Sequence, residues 1–271
     1  LYFSSDMPAL DKYFLPYAKE IKKRFLKKND FVVEIGSNDG VMLKFFKNYK
    51  HLGVDPATNV VIRALRNNIN TVPLFFTKNL ASKILREYGP AKVIYGNNCI
   101  AHLDGLRDLT SGVYDLLDKN GVFIIECNYW GGMVKNTNYS LIYHDHYSYF
   151  SLKVWIDFAK KYKLSVFDAT VTPAQGGSLR LYITHNNNKI YDNIIENVKI
   201  KNFQSVENKQ LNYFLNRFSK NIISLKKQTL NLIHKLIDKG KLIHFYGAST
   251  KGNVIIQYYG LHKLIKVAAE V

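Results

Sequence analysis

Two hydrophobic periods take turns along the first half of the chain. Over residues 6–29, Leu10, Phe14, Tyr17, Ala18, Ile21 and Phe25 recur at three- and four-residue intervals with lysines between them, which predicts a helix with one apolar face. "DFVVEIG" follows, a short β-branched run closed by glycine, and reads as a buried strand. The exchange continues. "VMLKFFKNYK" predicts a helix, "HLGVDP" a strand, "NVVIRALRNN" a helix, and "TVPLFF" a short apolar run. Then come a helical "NLASKILREYG", a strand "AKVIYGNN", a helix "LRDLTSGVYDLLDKNG" stopped by Gly121, and a strand "VFIIECNYW". Strand and helix alternating over this length predict an α/β fold with a doubly wound, mostly parallel sheet.

After Trp130 the rhythm breaks. "GGMVKNTNYSL" is loop-like, "SLKVWIDFAKKYKL" helical, and "SVFDATVTP" with "SLRLYITHN" alternates like an antiparallel pair. From Ser205 to Lys239 a long amphipathic stretch carries Leu211, Phe214, Leu215, Phe218, Ile222, Leu225, Leu232 and Leu236 on one face, and Gly240 ends it. "KLIHFYGASTKGNVIIQYYG" starts a new strand, turn and helix. The expected organisation is therefore an α/β domain over 6–200, a connecting helix over 201–240, and the start of a second α/β unit over 241–271. "LYFSS" at 1–5 resembles the remnant of a protease-cleavable tag and is expected to lie outside the fold.

Composition narrows the class. Hydrophobic residues make up 47% and the mean hydropathy is −0.16, which suits a globular chain rather than a disordered one. No stretch approaches a membrane span, and no basic segment followed by an apolar run marks a signal peptide. Cys99 and Cys127 are too few for a disulfide framework or a four-cysteine zinc module, so a reducing cytoplasm is the expected setting. The 38 Lys+Arg against 21 Asp+Glu give a formal charge of +17. Nucleic acid, an anionic surface or a small anionic substrate would each suit it. The lysines are scattered, without a basic stripe interleaved with aromatics, and neither a nucleic-acid nor a membrane partner is expected.

The first strand-to-helix junction carries chemistry. "VVEIGSNDG" sets Glu34 two residues before Gly36, with Gly40 closing the loop. Gly36 permits a tight turn and close backbone approach to a ligand. This is not the dinucleotide Gly-x-Gly-x-x-Gly pattern. It is the pattern of S-adenosylmethionine sites, where backbone and acid hold the amino-acid end of the cofactor. Asp55, at the end of the second strand, is placed to accept ribose hydroxyls. The plain alternative is a strand-to-helix turn.

"YHDHYSYF" over 143–150 admits three readings: a metal site, an acid–base wall, or a wet strand edge. Two histidines at i and i+2 on a strand can share zinc, but no third ligand offers itself, so no metal is expected. If extended, the segment puts His144 and His146 on one side and Tyr143 and Asp145 on the other.

The chain resembles the sugar C-methyltransferases, a family of class I S-adenosylmethionine-dependent methyltransferases with a Rossmann-like fold. The resemblance is carried by "VVEIGSNDG", "NNCIAHLDGL", "IYHDHYSYFSL" with "GGSLR", and "YGASTKGNVIIQYYG". It implies that Glu34, Gly36, Ser37, Asn38, Gly40, Asp55 and Asn98 line the cofactor site. It also implies that His102, Tyr143, Asp145 and His146 line the reaction centre, with His146 as base. Gly247, Thr250, Lys251 and Asn253 would help to hold a nucleotide diphosphate sugar. In "GGSLR", Gly177, Ser178 and Arg180 either approach the sugar or diphosphate or belong to a turn. The family commonly has glutamate at the position of Asp145 and histidine at that of Gln175. Members commonly begin with a cysteine-rich zinc-binding domain and continue past the position of Val271.

The implied reaction is methyl transfer to carbon beside the ketone of a keto-deoxysugar. A histidine suits the proton removal because its pKa lies near neutrality. Tyr143 or His102 would donate to the developing enolate oxygen. The rivals are O- or N-methylation of a related sugar or polar metabolite, non-catalytic binding of cofactor and sugar nucleotide, and methylation of RNA or DNA.

Overall fold

The β-branched runs form a seven-stranded sheet because only a sheet covered on both faces buries such runs completely. The computed structural model describes residues 3–191 and 198–269. Leu1 and Tyr2 of the tag-like segment, and residues 270–271, lie outside the described residues. The strands are β1 (Phe31–Ile35), β2 (Lys50–Val54), β3 (Thr71–Val72), β4 (Ala91–Asn97), β5 (Leu117–Asn128), β6 (Leu164–Thr172) and β7 (Ser178–His185). Their order across the sheet is β3-β2-β1-β4-β5-β7-β6. β1 to β5 pair in parallel, whereas β7 runs antiparallel to both β5 and β6. Strand order reverses between β1 and β4. In open α/β sheets, ligands bind beyond the carboxyl ends of the strands at that switch.

Helices cover both faces. Helix α1 (Pro8–Phe25) starts with proline at its first position, where no N–H is needed, and buries Phe14, Tyr17, Ala18, Ile21 and Phe25. α2 (Thr58–Arg66), α3 (Lys78–Tyr88), α4 (Leu106–Leu116), α5 (Trp130–Lys135) and α6 (Leu152–Lys161) complete the layers. Thr77 caps α3 by accepting from the Leu80 amide at 3.1 Å, and Ser151 caps α6 through the Val154 amide. One prediction is corrected here. "VMLKFFKNYK" makes only a 3-10 turn over Leu43–Phe46, because it must bury Met42, Leu43 and Phe46 in quick succession before β2. The helix before β5 is also shorter than expected, since α4 gives way to strand at Leu117 and Gly121 lies inside β5.

A 40-residue helix, α7 (Val198–Ile237), leaves the sheet and carries a small unit of β8 (His244–Tyr246), α8 (Thr250–Tyr259) and β9 (Val267–Ala269). Glu207 anchors α7. Its buried carboxylate accepts from the Leu152 and Lys153 amides at 2.9 and 3.0 Å, where the positive end of α6 favours an anion. At the far end, Ile233 packs with Tyr259 and Leu261. Tyr139 stacks on Tyr259 with ring centroids 6.1 Å apart, so the small unit sits against the segment before Tyr143. Among the described residues, no helix is long and apolar enough to cross a membrane.

Candidate active site

The turn after β1 is shaped by two glycines in left-handed backbone. Gly36 has φ +68°, and a β-carbon there would lie 2.6 Å from Cβ of Cys99. Gly40 has φ +82° and abuts Ile69; its amide donates to the Ser37 carbonyl at 2.9 Å and closes the turn. Asp55 holds the same turn, since its carboxylate accepts from the amides of Asn38 and Ala57 at 2.9 Å each. Ser4 and Ser5, expected outside the fold, are bonded to this turn through Asn38 and Asp39.

Beyond the β1 and β4 ends lies a cavity of about 410 Å³ whose walls include Glu34, Gly36, Ser37, Asn38, Asp55 and Asn98. Of the residues implied for the cofactor, Gly40 alone is not in its wall. The lining is rich in oxygen acceptors. Ser37 Oγ and the side-chain oxygens of Asn97, Asn98 and Asn128 are buried there without a protein partner. Glu34 is buried at the cavity floor and accepts from Tyr95 Oη at 3.1 Å. Burial pushes its pKa well above the ordinary carboxylate range, although the Tyr95 bond pulls the other way. Orphaned acceptors beside two carboxyl groups suit a ligand that brings an ammonium, a sulfonium and hydroxyls, and S-adenosylmethionine has all three. Asn97 and Asn128 are additions to the implied set. Their positions at the ends of β4 and β5 could have marked them, because ligands sit beyond strand C-termini in this fold.

The opposite wall holds Tyr143, His146, His102 and Gln175. The segment around Tyr143 is not a strand. The His146 amide donates to the Tyr143 carbonyl at 3.1 Å, making a tight turn that brings the two side chains to one side. Tyr143 Oη lies 3.0 Å from His146 Nε2, and the rings are 4.2 Å apart. His146 Nδ1 lies 3.1 Å from the Leu141 carbonyl, which can only accept. Nδ1 therefore carries the proton, and Nε2 is left as the basic nitrogen with the tyrosine hydroxyl donating to it. Burial, then the neighbouring His102, lowers the His146 pKa, so the ring is neutral at pH 7.

Asp145 does not reach His146 in this turn. Its carboxylate pairs with His144 at 3.0 Å, and its backbone carbonyl takes Nδ1 of His102 at 2.8 Å. The Leu141 carbonyl, rather than a carboxylate, fixes the tautomer of His146. His102 turns its Nδ1 to the Asp145 carbonyl, so its Nδ1–H is spent on the backbone, and the Tyr143 hydroxyl is the donor that faces His146. Among the described residues, no group of three or more His, Cys, Asp or Glu is arranged to hold a metal ion.

The "GGSLR" choice falls to the turn. Gly177 has φ +126° and accepts from the Tyr129 amide, and Ser178 Oγ donates to the Ala174 carbonyl at 3.0 Å. Arg180 points into the sheet and is corrected from ligand contact to buried ion pair. Its Nε and Nη2 each lie 2.8 Å from Glu126 Oε2, and its guanidinium covers the Tyr17 ring at 3.3 Å. Tyr13 of α1 joins them by donating to Glu126 at 2.7 Å. In the small unit, Thr250 and Asn253 line a second cavity of about 530 Å³ that shares Tyr143 with the first. Gly247 is not in its wall; with φ +97° its amide donates to Ala269 and ties β8 to β9. Lys251 reaches Gln175 at 2.9 Å.

A family profile described as a methyltransferase domain matches residues 10–167, more than half of the chain. The chain belongs to the methyltransferase family. A second profile, of the C-methyltransferase C-terminal domain, matches residues 173–271 of this methyltransferase. The C-methyltransferase NovU of Streptomyces niveus is 29% identical over 250 residues, which cover 90% of this chain and 59% of NovU. The chain thus spans about three-fifths of that relative. The fold is shared with a S-adenosylmethionine-dependent methyltransferase from Anabaena variabilis. That match has a TM-score of 0.51 and 14% identity, and covers 65% of this chain and 85% of the other.

Proposed function

We propose that this methyltransferase moves a methyl group to carbon beside the ketone of a nucleotide-linked keto-deoxysugar, with His146 as the base. The observation that carries this reading is the fixed tautomer of His146. Its basic Nε2 is turned to Tyr143 in the wall of the cofactor cavity. O- or N-methylation needs no carbon acid to be ionised. A neutral imidazole with a phenol beside it suits the harder task of making and holding an enolate.

S-adenosylmethionine supplies, when bound, an electrophilic methyl group on a sulfonium. Glu34 and the oxygens of Ser37, Asn97, Asn98 and Asn128 would hold its cationic end, and Asp55 would accept from the ribose hydroxyls. The acceptor's carbonyl oxygen draws the Tyr143 hydroxyl away from Nε2, and the freed nitrogen takes the proton from the adjacent carbon. The electron pair of that bond moves to the oxygen. It returns as the carbon takes the methyl group, leaving S-adenosylhomocysteine. Alignment of the two reactants accounts for much of the acceleration. Thr250 and Asn253 line the second cavity, which would take the nucleotide. The free thiols of Cys99 and Cys127 fit a reducing cytoplasm.

The test is incubation of the chain with nucleoside diphosphate keto-deoxysugars in D₂O, with and without S-adenosylmethionine. Exchange of the proton beside the ketone, followed by a methyl signal on that carbon, is expected. Methylation on oxygen or nitrogen with no exchange would overturn the carbon reading. Binding of both ligands without turnover would leave a binding protein.

A further inference from the structure

We propose that Lys251 is a catalytic residue of the methyl-transfer site, its ammonium stabilising the enolate oxygen of the acceptor rather than gripping a diphosphate. The inference rests on the carbon-methylation reading above and gives the small unit a part in the chemistry.

Helix α8 presents two faces to two cavities. Asn253 and Val254 lie three and four residues after Thr250, Gln257 lies four and three after them, and all four line the second cavity. Lys251 is one residue, and so about 100°, away from Thr250. It is not in the wall of the second cavity. Its Nζ donates instead to Oε1 of Gln175 at 2.9 Å, and Gln175 lies in the wall of the first cavity with Tyr143 and His146. The backbone of Gln175 is unusual for a residue with a side chain, at φ +52°, and is followed by Gly176 and Gly177, also at positive φ. Asn138 holds this loop by donating to the Gly176 carbonyl at 3.2 Å. The loop thus carries an amide oxygen to the ammonium at the edge of the reaction cavity.

The charge is uncompensated. Among the described residues, no carboxylate lies within ion-pair distance of Lys251, and partial burial alone lowers its pKa. An ammonium drawn out of water without a counter-ion is costly unless an anion joins it. Its charge also acts weakly on His146, disfavouring that ring's protonated form. The proposed reaction creates an anion there. As His146 takes the proton from carbon, the electron pair passes to the carbonyl oxygen, which becomes an oxyanion. In this reading the substrate's carbonyl oxygen would take over from the Gln175 side-chain oxygen as the acceptor from Lys251. Lys251 keeps its proton throughout, and the charge on oxygen is lost when the carbonyl re-forms.

The test compares Lys251→Met and Lys251→Arg with the unaltered chain in three measurements: the Kd of S-adenosylhomocysteine, the Kd of the bare nucleoside diphosphates UDP, dTDP and GDP, and α-proton exchange at saturating sugar nucleotide. In Lys251→Met, exchange should fall by about 100-fold, the scale of losing one oxyanion donor. Both dissociation constants should stay within about twofold, because this role makes no contact with either ligand. Lys251→Arg should recover part of the exchange. A weakened nucleoside diphosphate Kd with unchanged exchange at saturation would overturn the proposal and assign Lys251 to the phosphates. Equal exchange and equal binding in the unaltered and Met chains would overturn it too. Absence of exchange in the unaltered chain, with both ligands bound, would instead remove the carbon-methylation reading on which it stands.

Discussion

Tyr143 and His146 are joined across a single tight turn by a 3.0 Å bond between phenol and imidazole, while a backbone carbonyl fixes the far side of the ring. The Leu141 bond leaves Nε2 as the basic nitrogen, and in the proposed reaction the tyrosine covers it reversibly. His146→Ala should therefore lower α-proton exchange by about 10²- to 10⁴-fold, the usual worth of a positioned base. S-adenosylhomocysteine affinity should change little. Tyr143→Phe should retain exchange at a reduced rate, since the base remains and only the donor to oxygen is lost. Exchange by ¹H NMR and calorimetric binding check both.

The pH dependence follows from the same ring. Burial and His102 lower the His146 pKa below 6.5, and Asp145 opposes this more weakly. In the proposed reaction the neutral ring is the active form. Activity should rise as pH increases through a value below 6.5 and be level at neutrality. The stability sign agrees: a depressed pKa in the fold contributes stability that is complete above 6.5 and is lost as pH falls through the folded value. Rate and melting temperature measured from pH 5 to 8 test both. An acid limb centred above 6.5 would exclude His146 as the group that titrates.

Much of this site was legible before the structure, and the limits have physical causes. Glu34, Gly36 and Asp55 are set by local rules, because a strand-to-helix turn fixes a ligand site within a few residues. The resemblance also indicated Tyr143 and His146. Their mutual geometry was hidden, since the pattern of residues 143–150 does not say whether the segment is extended or turned, and only the turn brings the two side chains together. Arg180 could not be placed from its neighbours. A basic residue after two glycines looks the same whether it meets a diphosphate or, as here, a glutamate on the adjacent strand and a tyrosine on α1. That Asn97 and Asn128 turn unpartnered oxygens into the first cavity depends on where β4 and β5 end in space.

The buried pair itself makes a prediction. Arg180 and Glu126 have side-chain exposures of 8% and 0%, and Tyr13, Thr172 and Glu20 complete their network. Arg180→Met would leave the Glu126 carboxylate buried without its cation. The cost should be about 3–5 kcal/mol, the usual penalty for removing one partner of such a pair. Arg180→Met with Glu126→Gln should recover a large share by removing the orphaned charge. Urea unfolding of the three chains measures this. In the folded fraction, affinity for nucleoside diphosphates should be unchanged, because the guanidinium touches neither cavity.

Gly36 should be the least replaceable residue of the cofactor turn, for two separable reasons. An added β-carbon would stand 2.6 Å from Cβ of Cys99, and φ is +68° whatever surrounds it. Overpacking of this kind costs about 1–3 kcal/mol. Left-handed backbone at a non-glycine residue adds about 1–2 kcal/mol. Cys99→Gly opens the space and cannot relieve the backbone. In a double-mutant cycle, Gly36→Ala should therefore be partly rescued by Cys99→Gly, with a coupling of about 1–3 kcal/mol set by the steric part. A residual loss of stability and of S-adenosylhomocysteine affinity should persist. Complete rescue would mean that the turn tolerates a side chain and that only crowding keeps glycine there. Absence of coupling would mean that Cys99 moves aside freely and that the backbone conformation alone demands it.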